Sequence, residues 1–344
     1  MNIVLTDPVF VKKENKNAID SFFLKYINDE RDLPFIHLCL KITFLVVPAA
    51  VILFIFKNIH WIFYVAYLAI NLAVFLGPFV LMLHNTSHRK FFKKEYGFLN
   101  NFIPWFLGLF YGQTPETYFY HHIGMHHAEN NLENDLSSTM KYRRDSLRGF
   151  LHYLFTFYFF GIFQLSYYFK KKDQVKFLWR VIRGEIFFII LTIVLAFYNF
   201  TAALFILILP FIFIRFAMMA GNWAQHAFID PNEPDNLYKS SITCINTVYN
   251  KKCFNDGYHI GHHLKPSMHW TDMPGNFLQN LDKYQQNNVI IFEGLDYFQI
   301  WFLLMIKNYK FLAKKFVSVT PVPRSEKEII DFLKSRTHHI FSSK

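Results

Sequence analysis

The sequence predicts an all-α membrane protein. It reads as four transmembrane helices in two hairpins, with a cytoplasmic helical cap that carries clustered histidines. Three observations lead there. The 344 residues are 53% hydrophobic and 20% aromatic, with 43 phenylalanines, too apolar for an ordinary soluble domain. Several runs are long and apolar enough to cross a bilayer, which takes about 20 residues. The two short turns between those runs hold a single lysine between them, and nearly all other lysine and arginine lies outside the spans and turns.

The elements follow in order. Residues 1–34 are polar through residue 33, so they read as a cytoplasmic arm and not as a cleavable signal peptide. Residues 38–56 form the first span, with Lys41 near one end where its stem snorkels. Residues 61–83 form the second, 23 residues without a charge. Only residues 57–60 lie between them, which makes a hairpin with a tiny far-side loop. Residues 186–214 hold 29 uncharged positions, long for one span and short for two. Adding 181–185 and 215–221 makes two, turning near Tyr198-Asn199, with Arg183, Glu185 and Arg215 at the near interface. Residues 150–169 are uncharged but dominated by Phe and Tyr. They read as an aromatic helix lying in the interface or dipping into one leaflet. Residues 290–306, with Glu293 and Asp296, read as amphipathic too. The stretches "DPNEPDN" and "KPSMHWTDMPGN" are turn-rich connections. The membrane domain thus covers 35–310, and 311–344 is a cytoplasmic tail with no evident retention or lipidation signal.

The formal charge is +11. No nucleic-acid motif accompanies it, and a membrane protein uses such charge on its cytoplasmic face and against anionic headgroups. The two turns hold one lysine, Lys57, so both chain ends are expected in the cytoplasm. The sequon Asn199-Phe200-Thr201 lies at the far-side turn, too close to the membrane for a glycan. Cys39, Cys244 and Cys253 are odd in number and widely spaced, which implies no disulfide framework and a reducing compartment.

Nine of the 16 histidines fall into four patterns: "HNTSH" (His84, His88), "HIGMHH" (His122, His126, His127), "NWAQH" (Asn222, His226) and "HIGHH" (His259, His262, His263). Offsets of three and four put helical side chains on one face, so each pattern is expected to aim two or three imidazoles at a common point. Neutral imidazole suits iron, zinc, copper and nickel. Nine imidazoles exceed the needs of one ion and suit two metals. Zinc is satisfied by four ligands, so two metals in an all-histidine shell point to redox metals and oxygen chemistry.

Placement agrees. The first pattern follows the second span and the third ends the fourth span. From His88 to His122 is 34 positions and from His226 to His259 is 33, so each half reads as hairpin, ligand pair, excursion, ligand cluster. Ligands of one site must lie on one side of the membrane, which requires an even number of crossings between His88 and His226. Histidines at a bilayer surface also serve simply as polar interface residues, but four patterns at span ends and in loops argue for metal. His37, His60 and His152 read as interfacial, His338 and His339 as tail residues, and His121 and His269 as structural.

These motifs resemble those of the integral-membrane fatty acid desaturase superfamily: HxxxH or HxxxxH, then HxxHH or HxxxHH, then a late HxxHH. "NWAQHAF" looks like the Asn-x-x-x-His element of the stearoyl-coenzyme A desaturases. The resemblance covers roughly residues 35–310. It implies two non-haem irons, with His84, His88, His122, His126, His127, His226, His259, His262 and His263 as ligands and Asn222 linked through water. Sterol-desaturase-like proteins space their first two boxes more closely. Front-end desaturases usually begin the last box with glutamine, where this chain has His259. A fused cytochrome b5 domain would show His-Pro-Gly-Gly, which is absent, so electrons are expected from a separate donor such as cytochrome b5 or ferredoxin.

The implied function is O2-dependent desaturation of a lipid acyl chain, carried on coenzyme A or a phospholipid, in the endoplasmic reticulum or a bacterial inner membrane with the site on the cytoplasmic side. Glu129, Glu133, Asp135 and Asp256 are candidates to orient imidazole N–H groups, or are solvated loop charges. Arg143, Arg144, Arg148 and Lys170 to Lys172 read as membrane-surface residues or headgroup contacts. The nearest rival is a fatty acid or alkane hydroxylase with similar boxes. A rival of another class is a metal transporter or zinc receptor-like protein. A transporter should place its ligands near the bilayer midplane, whereas these histidines sit at span ends.

Overall fold

The computed structural model, described for residues 3–12, 14–320, 322 and 324–340, contains four helices long and apolar enough to cross a membrane. They are Glu30–Ile55, Trp61–His88, Val175–Tyr198 and Phe200–Gln225. The chain is mostly helical, and each span is longer than the uncharged run that announces it. The ambiguous 29-residue stretch resolves into two spans that turn at Asn199. The last four residues, part of the tail expected to lack a retention signal, lie outside the described residues.

Three spans share a local device, a π-turn followed closely by proline. It occurs at Ile42–Val46 before Pro48, Asn71–Leu76 before Pro78 and Leu204–Ile208 before Pro210. Proline cannot donate to the helical ladder. The wider turn resets the ladder just before it: the Val47 amide reaches back to the Ile42 carbonyl, and that of Leu209 to Leu204.

The chain divides into two compact units. One comprises Val11–Gly124 and Leu165–Arg215. Within it the turns at residues 56–60 and at Asn199 meet. Asn199 caps the fourth span by accepting from the Ala202 amide, and its Nδ2 donates to the Leu53 and Phe54 carbonyls. The carboxamide of the sequon is therefore buried and engaged. Lys57 Nζ lies 4.7 Å over the Tyr198 ring. At the other end of these spans, residues 112–117 wedge between the third and fourth. A Cβ on Gly184 would fall 1.7 Å from the Pro115 carbonyl oxygen, so only glycine permits that approach. Glu185 accepts from Thr114 (2.6 Å) and Thr117 (2.9 Å) and lies 3.5 Å from Arg215. The charges expected near the interface are thus paired, as desolvation requires. An apolar groove of about 590 Å³ runs between the first two spans, lined by Leu45, Ile52, Phe63 and Phe75 among others. Phe75 precedes His84 by nine residues, about 13 Å along the helix, so the groove is not where the histidines gather.

The other unit comprises Met1–Phe10, Met125–Gln164 and Phe216–Lys344. Its core joins Phe228, Ile242, Cys244, Phe292, Ile300, Leu304, Leu312 and Leu333. Residues 290–306 depart from the amphipathic expectation. They divide into a strand, β2 (Ile291–Glu293), and a helix, Tyr297–Met305. β2 pairs in parallel with β1 (Thr243–Ile245), Cys244 opposite Phe292. Gly294 at φ +71° breaks the segment. Asp296 and Gln299 then close a capping box that starts the helix.

Arg144 also departs from its expected surface role. It is 1% exposed and donates to the carbonyls of Ala227 (2.9 Å), Tyr142 (3.1 Å) and Arg336 (2.9 Å). Burial lowers its pKa to about 9, which leaves the guanidinium charged at neutral pH. The helix Leu147–Lys171 runs through the predicted aromatic segment. Up to Gln164 it buries Phe150, Tyr153 and Leu154 and exposes Phe155, Phe159 and Phe163, the two-faced character of an interfacial helix.

Candidate metal centre

In the first unit, His84 and His88 occupy the last turns of the second span, four residues apart and hence on one face. His122, which opens the π-turn His122–His126, meets them. Its ring centroid lies 4.5 Å from that of His84, and its Nε2 lies 3.0 Å from His88 Nε2. Tyr118 lies one turn before His122, stacks on its ring and places its hydroxyl 3.1 Å from His84 Nδ1.

In the second unit, His126, His226, His259 and His263 converge. All four are buried, and their ligand nitrogens lie within 4.8 Å of one another. His226 Nε2 is 3.3 Å from His259 Nε2, which is 3.0 Å from His263 Nε2. They come from three separated stretches of chain. His226 follows the fourth span directly. His259 and His263 share the short helix His259–Leu264. The turn into that helix is set by buried Asn250, whose Nδ2 donates to the Cys244 carbonyl and whose Oδ1 accepts from the Gly257 amide. A Cβ on Gly257 would lie 2.3 Å from that same carbonyl.

The outward nitrogens of two rings are anchored, and this fixes their tautomers. His226 Nδ1 donates to the Ser240 carbonyl (2.8 Å). His126 Nδ1 donates to Asp135 Oδ2 (2.7 Å). In each ring Nε2 then carries the lone pair. Burial and neighbouring His126 push the His226 pKa down to about 3. Burial and the surrounding imidazoles hold His263 well below the usual histidine range. At neutral pH these two rings are neutral. Lone pairs crowded together in a dry site repel one another unless a cation sits among them. An all-nitrogen set of neutral imidazoles suits iron, so the residues present fit a metal.

Asp135 is 2% exposed. It accepts four hydrogen bonds: from His126 and the Asn131 amide at Oδ2, and from the Ser137 amide and hydroxyl at Oδ1. Among the carboxylates nominated by sequence, it orients the His126 imidazole. Asp256 instead accepts from Tyr249 (2.7 Å) and Gln225 (3.3 Å), and burial raises it to about 6. Glu133 is exposed.

The expectation that each motif aims at one point does not hold. His122 joins the first cluster and His126 the second. His127 faces His262, Nε2 to Nε2 3.0 Å, while His259 and His263 join His126 and His226. Adjacent helical residues diverge by about 100°, so an HH pair addresses two directions. Asn222 lies one turn before His226, with its Nδ2 held by the Ser137 carbonyl and the Tyr153 hydroxyl. His269 caps the turn at Thr271, its Nδ1 accepting from the Thr271 amide.

The partners that sequence missed are Tyr118, Ser137, Tyr153 and the Ser240 carbonyl. Tyr118 carried one signal, its place four residues before His122. A backbone carbonyl carries none.

A sequence model of one protein family, described as Fatty acid desaturase, matches residues 37–318. The chain belongs to that family. It is accordingly a membrane oxidoreductase of the desaturase kind, and its histidine clusters are compatible with the histidine boxes of that family and could hold metal. No curated protein and no solved structure matches it.

Proposed function

We propose that this protein is an O2-dependent di-iron desaturase that introduces a double bond into a fatty acyl chain. The observation that carries it is the buried set His126, His226, His259 and His263, nitrogens within 4.8 Å of one another, in a chain of the fatty acid desaturase family. The nine histidines of the four motifs hold two irons, and Asn222 adds its carboxamide through water. Iron bound there supplies O2 activation and the abstraction of hydrogen from an unactivated methylene. The chain's own residues do the rest. Asp135 and the Ser240 carbonyl hold His126 and His226 in the tautomer that presents Nε2. The apolar core around them excludes water. Rigid placement of one methylene selects the carbon that reacts.

Electrons come from a separate donor such as cytochrome b5 or a ferredoxin, and the substrate is an acyl-coenzyme A or a phospholipid. The site faces the cytoplasm of an endoplasmic reticulum or bacterial inner membrane. Two crossings lie between His88 and His226, and basic residues cluster outside the short turns.

The test is expression of wild type and His263→Ala in a host supplied with a b5-type donor, with mass spectrometry of total acyl chains and double-bond localisation. An unsaturated product present only with wild type is the expected result. A hydroxylated product would assign the chain to hydroxylation instead. Purified wild type holding no iron, against the expected about two per chain, would overturn the di-iron reading.

A further inference from the structure

We propose that Tyr153 is a positioning residue that locks the carboxamide of Asn222, so that its oxygen and not its nitrogen is offered to the metal centre; this rests on the di-iron reading above. A carboxamide carries two N–H donors and one acceptor oxygen. One Asn222 hydrogen goes to the Ser137 carbonyl (2.9 Å) and the other to the Tyr153 hydroxyl (2.8 Å). The Tyr153 hydroxyl donates onward to that same Ser137 carbonyl (3.2 Å). The triangle consumes both amide hydrogens, and Oδ1 is the polar atom left to act. Asn222 and His226 are one turn apart, and the His226 amide bonds the Asn222 carbonyl at 3.1 Å, so the two side chains share a face. Turning the carboxamide over would set its oxygen against the Ser137 carbonyl oxygen and present N–H groups, which cannot ligate a metal or accept from a metal-bound water.

Tyr153 is itself buried and packed among aromatic rings. It is 3% exposed, and its ring packs 5.2 Å from Trp223 and 5.7 Å from Tyr142. The triangle continues into the histidine cluster. The Ser137 hydroxyl donates to Asp135 Oδ1 (2.6 Å), and Asp135 holds His126. One hydrogen-bonded path therefore fixes a ligand imidazole at one end and the Asn222 oxygen at the other. Tyr153 is 69 residues from Asn222 and lies in the aromatic run that otherwise reads as interfacial.

The test uses full-length protein purified with iron in detergent. Tyr153→Phe keeps the ring and its packing and removes the hydroxyl. Tyr142→Phe is the control, since it touches the same aromatic cluster but its hydroxyl meets His152 (3.1 Å). Iron retention against a competing chelator is measured with thermal unfolding of the metal-free forms. Tyr153→Phe is expected to weaken retention about 10–100-fold, the usual effect of removing a partner that orients a ligand. Tyr142→Phe should match wild type. Asn222→Ala should weaken retention as Tyr153→Phe does, and the double variant no further, because the tyrosine acts through the asparagine. Wild-type retention in Tyr153→Phe overturns the proposal, as does a double variant whose losses add. Iron-free wild type would instead refute the di-iron reading itself.

Discussion

Asp135→Asn removes a charge and leaves a shape. The carboxylate takes four donors: the His126 ring, the Asn131 amide, and the Ser137 amide and hydroxyl. An asparagine must turn one end into a donor. Facing His126 and Asn131, its NH2 meets two N–H groups with no acceptor. Facing Ser137, it meets one N–H and a hydroxyl that can reverse. The second choice is better, and it still orphans a buried amide, a loss of about 1–3 kcal/mol.

The lowered pKa of the Asp135 carboxyl gives a second measure of the same contacts. Burial pushes the Asp135 carboxyl up, but His126 and the bonds from Ser137 more than offset it and bring the pKa from 3.8 to about 2. Such a shift is worth about 2.4 kcal/mol at neutral pH. The folded value lies below the unfolded one, so this stability is fully present above pH 3.8 and is lost as pH falls toward 2. Metal-free Asp135→Asn should therefore unfold more easily than wild type at pH 6, and the gap should narrow as pH drops below 4. With iron bound, His126 backed by a neutral amide oxygen instead of a carboxylate is a poorer donor and should weaken retention about 10–100-fold, or about 1.4–2.7 kcal/mol. Differential scanning fluorimetry across pH and chelator competition read the two effects. A stability gap that is flat from pH 6 to pH 3, together with wild-type retention of iron, would refute the reasoning.

Further outcomes follow from single contacts. Gly184→Ala places a Cβ 1.7 Å from the Pro115 carbonyl. It should lower stability by about 3 kcal/mol or more, the upper end for overpacking, whereas Gly221→Ala meets nothing within 4 Å and should be neutral or stabilising by melting temperature. Gly257→Ala drives into the Cys244 carbonyl two residues before His259. Iron content per folded chain should fall even where the protein still purifies as a monodisperse species. Arg144→Met strips the donors from three carbonyls, one of these bonds buried and two partly buried, and should cost about 3–5 kcal/mol. Arg144→Lys should recover little of it, because an ammonium lacks the planar fork; chemical denaturation compares the two.

Much of the architecture was legible because bilayer length and charge placement are written residue by residue. The four spans needed only apolar runs and Lys57, and the two-span resolution of 186–214 followed from parity. The nine histidines stood out as candidates by their spacing and Asn222 by resemblance, but the way the imidazoles divide between clusters was not legible. "HIGMHH" looks like one motif, but a helix sends His126 and His127 to different neighbours. The strand at Ile291–Glu293 was hidden because its partner, Thr243–Ile245, lies 48 positions away and three residues carry no period. Arg144 was misread because charge alone suggested surface, and what overrides charge is a supply of carbonyls that only the folded loop creates.

That loop explains why the missed residues belong together. Residues 135–144 grip the end of the fourth span at successive points. The Ser137 carbonyl takes the Asn222 amide, Trp223 Nε1 donates to the Arg144 carbonyl (2.8 Å), Thr139 Oγ1 donates to the His226 carbonyl (2.7 Å), and Arg144 Nε donates to the Ala227 carbonyl. The same loop supplies Asp135 to His126. One ten-residue segment thus sets two of the four imidazoles in the buried cluster, one through its ring and one through its backbone. The two are anchored differently. His126 leans on a carboxylate, which raises its basicity as a donor, whereas His226 leans on a neutral carbonyl. A metal among these rings meets unequal ligands. Changes in the loop should therefore be felt first on the His126 side of the cluster, before His259 and His263, which a separate turn at Asn250 holds in place.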